Sequence, residues 1–263
     1  MSTYSKEHEE YLKKIKKRKI IVAFFQILIV IAFLILWEIS ARFGWINTFL
    51  SSSPSEVAKT FFSLLSKNDL LNHIWVTVYE TLISFLIASG VGLIVASILW
   101  WNKIVADILD PYLTVLNSLP KVALGPLIII WVGANTNSII FMALMICLII
   151  SIINIYNGFI ETDKNYVTLM KSFHASKLQI YKNVILPANK VTIINCLKIN
   201  VSMSLIGVIM GELLVSKEGL GYLIMYGSQV FNINLVITSV FILAIISYIM
   251  YFLINMLEKK SQK

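Results

Sequence analysis

Long apolar runs separated by short polar segments dominate this sequence. Six runs reach the length of about 20 residues that a helix needs to cross a lipid bilayer. They cover residues 20–39, 75–99, 108–131, 138–156, 192–213 and 235–257. The pattern predicts an all-α membrane protein with six transmembrane helices. The third run contains Pro120, Gly125 and Pro126, so we expect this span to be broken.

The composition favours the same class. The chain has 263 residues, of which 58% are hydrophobic and 14% are charged. A soluble domain has about 45–50% apolar and about 25% charged residues. The net charge of +8 is also compatible with nucleic-acid binding. We prefer a membrane protein without a nucleic-acid partner, because the charges lie between the apolar runs.

The basic residues predict the orientation in the membrane. With the N-terminus inside, sixteen of the 22 lysines and arginines fall on inner segments and four on outer segments. This bias matches the positive-inside rule and predicts cytoplasmic termini. The predicted organisation is a basic tail at 1–19, a six-span domain at 20–258 with a cytoplasmic loop at 158–190, and a tail at 259–263.

One stretch of that loop, "KSFHASKLQIYKNVILP" (171–187), needs a separate explanation. Its apolar residues recur every three or four positions, which indicates an amphipathic helix that Pro187 would stop. These residues are Val167, Met170, Phe173, Leu178, Tyr181, Val184 and Ile185. Such a helix either lies on the lipid surface or docks into a groove of a cytoplasmic partner.

The sequence has few features of catalysis or cofactor binding. It lacks the phosphate-binding pattern G-x-x-x-x-G-K-[ST], and no pair of nucleophile and base stands out. His8, His73 and His174 are too scattered for a metal site. Cys147 and Cys196 each lie in an apolar run and are expected to be small core residues.

The loop resembles the EAA loop of permease subunits of ABC importers. In that family the pattern runs from Glu-Ala-Ala through a Gly to an Ile/Val-Leu-Pro ending. Here 184–187 is Val-Ile-Leu-Pro, while 168–170 is Thr-Leu-Met and His174 replaces the Gly. That Gly often serves a turn with positive φ, a region that His visits less easily.

Three further segments extend the resemblance over residues 50–257. They are "SSPSEVAKTFFSLL" (52–65), "LPKVALGPLIIIWVG" (119–133) and "GELLVSKEGLGYLI" (211–224). Their order is most similar to the sulfonate, taurine, nitrate and thiamine-precursor branch of importers. The resemblance implies a type I ABC importer permease fold, which is also called MetI-like.

Charged residues within the predicted spans require explanations, because a charge at the centre of a span costs about 2.5–3.5 kcal/mol. For Glu80 we favour a carboxylate near a helix N-terminus over a pathway role. Lys198 is interpreted as structural. Glu212 either caps the segment that follows it or lines the outer gate. Lys121 either pairs with Asp107 or Asp110, or attracts an anionic group at the Pro120 break.

The resemblance implies roles for further residues and for other chains. The residues expected to couple the permease to an ATPase are Met170, Phe173, His174, Ala175, Leu178, Tyr181, Leu186 and Pro187. Lys121, Pro120 and Glu212 are expected in the substrate pathway, and Gly219, Gly221 and Tyr222 at the outer gate. The chain itself would be a transport subunit of the bacterial inner membrane and not an enzyme, with no cofactor or metal of its own.

The expected partners are a second copy of the chain, two cytoplasmic ATPase subunits that use ATP and Mg, and an outer solute-binding protein. The expected solute is a small anionic organic molecule such as an aliphatic sulfonate. Nitrate or a thiamine-precursor pyrimidine is the alternative. An ion-coupled transporter would show inverted repeats and buried acidic ion sites near the middle of the membrane, and a membrane enzyme would show an inward-facing acid–base constellation. We find neither pattern.

Overall fold

The computed structural model describes residues 6–66 and 69–261, and these residues contain helices and no β-strand. The predicted all-α class is therefore confirmed. Residues 1–5 and 262–263 of the two predicted tails, and Lys67 among the outer basic residues, lie outside the described residues.

The chain divides into two compact units, residues up to Ser63 and residues from Leu64 onward. The first unit contains α1 (Lys6–Arg42), α2 (Thr48–Ser51) and most of α3 (Pro54–Ser66). The Glu38 carboxylate accepts hydrogen bonds from Arg42 Nε at 2.8 Å and from the Ser55 backbone N–H at 3.1 Å. These bonds connect the end of α1 to the start of α3.

The second unit contains three long central helices and the segments that join them. Its elements, in chain order, are α4 (Asp69–Trp101), α5 (Lys103–Ser118), a 3₁₀ turn (Lys121–Leu124), α6 (Gly125–Val132), α7 (Thr136–Glu161), α8 (Lys164–Ser172), α9 (Lys177–Ile180), a π-helical turn (Tyr181–Ile185), α10 (Leu186–Ala188), α11 (Lys190–Val215), α12 (Leu220–Gln229) and α13 (Ile233–Ser261).

Five of the six predicted spans are single helices. Among the described residues, Glu10–Arg42, Asp69–Trp101, Thr136–Glu161, Lys190–Val215 and Ile233–Met256 are each long and apolar enough to cross a membrane. The third predicted span is instead two helical segments, Lys103–Ser118 and Lys121–Val132, which meet at 85°. The predicted break at Pro120 is therefore confirmed.

Small and polar residues form the interface between α4, α7 and α11. The buried face of α4 carries Thr81, Ser84, Ala88, Gly92 and Ala96. Such residues let helix backbones approach closely where lipid provides no hydrophobic drive for association.

A hydrogen-bond network lies inside this interface. Asn200 Nδ2 donates to Ser89 Oγ at 3.0 Å and to Ser151 Oγ at 3.1 Å, which joins α11 to α4 and α7. Cys147 and Cys196 are buried and unbridged beside it, so their prediction as core residues is confirmed.

Candidate functional site

The turn between α8 and α9 has a defined backbone geometry. The N–H of His174 donates to Lys171 O at 2.9 Å and the N–H of Ala175 donates to Met170 O at 3.0 Å. This pair of bonds is the Schellman motif, which places the residue after the cap in the left-handed region. His174 has φ of 56°. The expectation of a positive φ at this position is confirmed, and here a histidine adopts it.

The helical path continues through Pro187, so the prediction that Pro187 stops the helix is wrong. The π-helical turn Tyr181–Ile185 precedes the proline, and the N–H of Leu186 reaches back to Tyr181 O. A proline lacks an N–H and its ring crowds the carbonyl four residues earlier. The wider turn relieves this crowding, and α10 and α11 follow without a long loop.

Tyr181 connects the loop to α4. Its hydroxyl is hydrogen-bonded to Ser97 Oγ at 2.5 Å. Its ring lies 5.3 Å from that of Trp100 and 5.9 Å from that of Phe159, measured between centroids. Nearby, Lys177 Nζ donates to the Trp101 carbonyl and lies 5.7 Å from the centroid of the Trp100 ring. Aromatic and cation–π contacts of this kind stabilise a fixed arrangement.

The predicted coupling residues fall into two groups. Met170, Ala175, Tyr181 and Leu186 pack against the buried cluster around Phe159, Ile180 and Ile185. His174 and Pro187 are exposed. Phe173 and Leu178 are also exposed, with 72% and 49% of their surface accessible. Part of the predicted apolar row therefore stabilises the loop itself.

Two exposed residues were not identified from the sequence. Tyr166 and Leu169 are each more than half exposed, and with Phe173 they have the spacing of neighbours on one helix face. The missed signal was a second apolar row, one residue out of register with the predicted one. We call Tyr166, Leu169, Phe173 and Leu178 the exposed loop residues.

Lys121 lies in the 3₁₀ turn where the chain bends. Its Nζ is 3.2 Å from both the carbonyl O and the Oδ1 of Asn117. The alternative of an ion pair with Asp107 or Asp110 is wrong, since neither aspartate forms one with Lys121 in the part of the chain described. Elsewhere, Lys198 Nζ lies 5.9 Å from the centroid of the Tyr251 ring.

Side chains from α4 and α11 hold the N-terminus of α12. The N–H of Gly219 donates to His73 Nδ1 at 2.9 Å, and that of Leu220 to Thr77 Oγ1 at 2.8 Å. The N–H of Gly221 donates to Glu212 Oε2 at 2.6 Å. The first N–H groups of a helix lack partners within it, and a carboxylate there also complements the helix dipole. Glu212 therefore caps α12, as one of its two predicted alternatives stated.

Gly219, Gly221 and Tyr222 also contact Glu212 or His73. A Cβ on Gly219 would overlap the Glu212 carboxyl group, and φ of Gly219 is +103°. A Cβ on Gly221 would lie 2.7 Å from Glu212 Cβ. Tyr222 stacks on His73 with ring centroids 5.8 Å apart. These contacts define a rigid turn, while its role as an outer gate stays a prediction.

His73 and Thr77 were also missed in the sequence. The histidines were assessed only as metal ligands. Among the described residues there is no group of three or more His, Cys, Asp and Glu suited to a metal. The available signal was the spacing of His73, Thr77, Glu80, Thr81 and Ser84, which places polar residues on one face of an apolar helix.

Glu80 is not near a helix end, so the favoured interpretation was wrong. Helix α4 begins at Asp69, and Glu80 is 1% exposed. Neither carboxylate oxygen makes a hydrogen bond of ordinary geometry. The Thr136 hydroxyl and the Glu212 carboxyl are close enough to interact with it. Glu80 lines a cavity of about 490 Å³, together with Trp75, Tyr79, Asn135, Lys217 and Glu218.

Comparison with protein families supports a transport role. Residues 88–263 match the family described as "Binding-protein-dependent transport system inner membrane component". A probable ABC transporter permease protein of Haemophilus influenzae is 31% identical over 231 residues, which is 88% of this chain and 94% of that protein.

Two further relatives have named solutes. A putative aliphatic sulfonates transport permease protein, SsuC of Bacillus subtilis, is 26% identical and the match covers 87% of this chain and 83% of SsuC. The formylaminopyrimidine transport permease protein ThiX of Halalkalibacterium halodurans is 26% identical, with 86% of this chain and 89% of ThiX covered.

A solved structure establishes the fold. A chain of the MetNI methionine ABC transporter, in inward-facing conformations, superimposes with a TM-score of 0.66 at 18% identity. The match covers 74% of this chain and 97% of that one. The predicted MetI-like fold is confirmed.

Proposed function

This chain belongs to the binding-protein-dependent transport system inner membrane components, the permease subunits of ABC importers, and we propose that it forms half of a pathway for a small organic anion. An aliphatic sulfonate is the preferred solute. The sulfonate permease SsuC among the relatives supports this class. The relative ThiX supports the alternative of a thiamine-precursor pyrimidine, and nitrate is the further alternative from the sequence resemblance.

The observation that carries the mechanism is the division of the 158–190 loop into an anchored side and an exposed side. Met170 and Tyr181 fix the loop to the helix bundle. The exposed loop residues, Tyr166, Leu169, Phe173 and Leu178, are apolar or aromatic, and 49–72% of the surface of each is accessible. Aromatic and apolar side chains of this kind form the core of a protein interface. We assign this face to a cytoplasmic ATPase subunit.

The anchored side provides a route from the ATPase to the spans. A displacement of the docked loop would move Tyr181, and the Ser97 hydrogen bond and the Trp100 contact would carry that displacement into α4. Helix α4 packs on α7 and α11 through small residues, so these three helices would respond together. Alternating access would follow from the closing of two ATPase subunits on ATP and Mg.

The loop then lies in the cytoplasm and the α12 turn on the outer side. The 21 steps along α4 from Glu80 to Trp101 rise about 32 Å at about 1.5 Å each. This rise is comparable to the hydrocarbon thickness of about 30 Å. Lys121 would attract the anionic group at the bend near Pro120, and Gly219, Gly221 and Tyr222 would form the outer gate. A second copy and a solute-binding protein complete the assembly.

Uptake by the reconstituted complex tests this function. The chain is placed in proteoliposomes with its ATPase and solute-binding protein, and uptake of labelled ethanesulfonate is followed with and without ATP. We expect ATP-dependent uptake that requires the binding protein. Uptake of formylaminopyrimidine or nitrate in place of ethanesulfonate would select an alternative solute. Absence of ATP-dependent uptake of all three would overturn the proposed solute classes.

A further inference from the structure

We infer that the cavity beside Glu80 binds a positively charged nitrogen group, such as an ammonium or a guanidinium. The basis is a carboxylate that is 1% exposed, makes no hydrogen bond of ordinary geometry although Thr136 and Glu212 lie nearby, and lines a cavity of about 490 Å³. A buried carboxylate without a partner is costly, because it has lost its water and gained no donor. A ligand with N–H donors in the cavity would offer the donor that this carboxylate lacks.

The other residues that line the cavity also suit a positively charged nitrogen group. Trp75 and Tyr79 lie on the same face of α4, with ring centroids 6.5 Å apart, and both line the cavity. Aromatic faces attract cations through their quadrupole. Glu218 adds a second carboxylate at the exposed rim, and among the described residues that line the cavity Lys217 is the only basic one. The balance of charge therefore disfavours an anion.

The neighbouring carboxylate does not make this cavity a metal site. Both oxygens of Glu212 already accept hydrogen bonds, one from Thr77 and one from Gly221. Of the two buried carboxyl groups, Glu80 is therefore the one without a hydrogen bond of ordinary geometry. Glu80 and the exposed Glu218 supply fewer oxygen ligands than the about six to eight that a cation such as Ca²⁺ takes. Nitrogen donors, which need acceptors but no coordination shell, suit this arrangement better.

The nitrogen group has two possible sources, and only this assignment of the source rests on the proposed function. It belongs either to the transported solute or to a lysine or arginine of the solute-binding protein. Both would approach from the outer side, since the cavity lies at the end of α4 opposite Tyr181 and the loop. The site itself rests on the burial of Glu80 and on the residues that line the cavity with it, and not on the proposed function.

Thermal unfolding of the purified permease–ATPase complex tests the site, with ethylammonium chloride as the probe and potassium chloride at equal ionic strength as the reference. We expect a saturable rise of the Tm with ethylammonium, because a ligand that binds the folded state stabilises it. Glu80→Gln should weaken the apparent Kd about tenfold or more. Glu218→Gln, the control at the exposed rim, should change it about fivefold at most.

Two results would overturn the inference: equal Tm values in the two salts for the unchanged protein, or equal probe affinity in Glu80→Gln. If Glu80→Gln does not fold, ethylammonium binding to Lys217→Gln tests the inference instead. Loss of this like charge should tighten ethylammonium binding by roughly two- to fivefold at low ionic strength, and unchanged or weaker binding would contradict the site.

A second measurement assigns the source once the probe binds. Solute-free binding protein is added to the complex and stimulation of ATP hydrolysis is compared between the unchanged protein and Glu80→Gln. Loss of stimulation would assign the nitrogen group to the binding protein, and equal stimulation would assign it to the solute. A failure of ethanesulfonate uptake would affect the proposed function and leave the ethylammonium result standing.

Discussion

The backbone of Gly219 passes so close to the carboxyl group of Glu212 that a single added carbon on Gly219 would overlap that group. The contact brings the N-terminus of α12 onto α11, where Glu212 accepts the N–H of Gly221 at 2.6 Å. Since φ of Gly219 is +103°, the position is restricted by its backbone as well as by its neighbour. This turn depends on glycine for two separate reasons.

Gly219→Ala is expected to lower the free energy of unfolding by about 2–4 kcal/mol, from the overlap and the backbone strain together. In a Glu212→Ala background the cost of Gly219→Ala should fall to about 1–2 kcal/mol, because only the strain remains. The measurement is a double-mutant cycle: unfolding in detergent of the unchanged protein, Gly219→Ala, Glu212→Ala and the double variant.

Gly90→Ala is the matched control for that cycle. Gly90 lies within α4, and a Cβ there would meet nothing within 4 Å. This change should stabilise the protein by about 0.5–1 kcal/mol. An equal cost of Gly219→Ala in the unchanged protein and in Glu212→Ala would show that the Glu212 contact does not restrict Gly219.

The sequence predicted the spans well because their length and apolarity do not depend on tertiary structure. It predicted the buried side of the loop less well. Val167 and Met170 have the same helical spacing as Tyr166 and Leu169, so periodicity does not distinguish the two pairs. Met170 is covered because it packs on the cluster around Phe159 and Ile185, whereas Leu169 is exposed. Periodicity identifies the helix, but the position of neighbouring helices decides which face is covered.

The sequence did not predict the buried polar residues His73, Thr77 and Glu80 of α4 as one group, for a different reason. Hydropathy placed the start of the second span at 75, whereas α4 begins at Asp69 and includes His73 in its first turns. Glu80 was therefore assigned to a helix end. The partners of His73 and Thr77 are backbone N–H groups of Gly219 and Leu220, which no side-chain pattern reveals.

Phe173→Asp or Leu178→Asp should separate the permease from its ATPase, because each places a charge in an apolar interface. We expect loss of co-purification, or at least about a tenfold fall in transport-coupled ATP hydrolysis, with normal membrane insertion. Val230→Asp is a control, since Val230 is similarly exposed at 48% but lies at the end of α12. Unchanged co-purification and coupled hydrolysis in both loop variants would refute docking on this face.

Met170→Asp separates the two sides of the loop. Met170 packs on the chain's own buried cluster, so a carboxylate there should lower the Tm of the isolated permease. Phe173→Asp should leave that Tm nearly unchanged, because the Phe173 side chain is exposed. If both variants lower the Tm equally, the division of the loop into an anchored and an exposed side is wrong.

His174→Gly should stabilise the permease by about 1 kcal/mol, because glycine adopts the φ of 56° without the strain that a side chain causes. His174→Val should destabilise it by about the same amount or more, since a β-branched residue is poorly tolerated there. Lys171→Ala, at an exposed position of α8, should stay within about 0.5 kcal/mol. A lower Tm in His174→Gly would mean that the histidine side chain makes a stabilising contact of its own.

Lys121→Met should reduce ethanesulfonate uptake about fivefold or more, while the affinity of the complex for the binding protein stays unchanged. The reason is the loss of a positive charge that, on the proposed function, attracts the anion at the Pro120 bend. Lys121→Arg should retain part of the uptake. Lys103→Met, which removes an exposed lysine from the start of α5, is the control and should leave uptake unchanged.

Melting of the same variants separates this pathway role from a structural one. Lys121 bonds only to Asn117 in the part of the chain described, through two contacts of 3.2 Å. If these bonds are all that Lys121 provides, Lys121→Met should lower the Tm and the uptake, and Asn117→Ala, which removes only the Oδ1 contact, should lower both to a smaller extent but in the same proportion. If Lys121 attracts the solute, Asn117→Ala should lower the Tm and keep most of the uptake, whereas Lys121→Met loses uptake beyond its effect on stability. Normal uptake by Lys121→Met would remove Lys121 from the pathway, and the assignment of the chain as an importer permease, which rests on its family, would be unaffected.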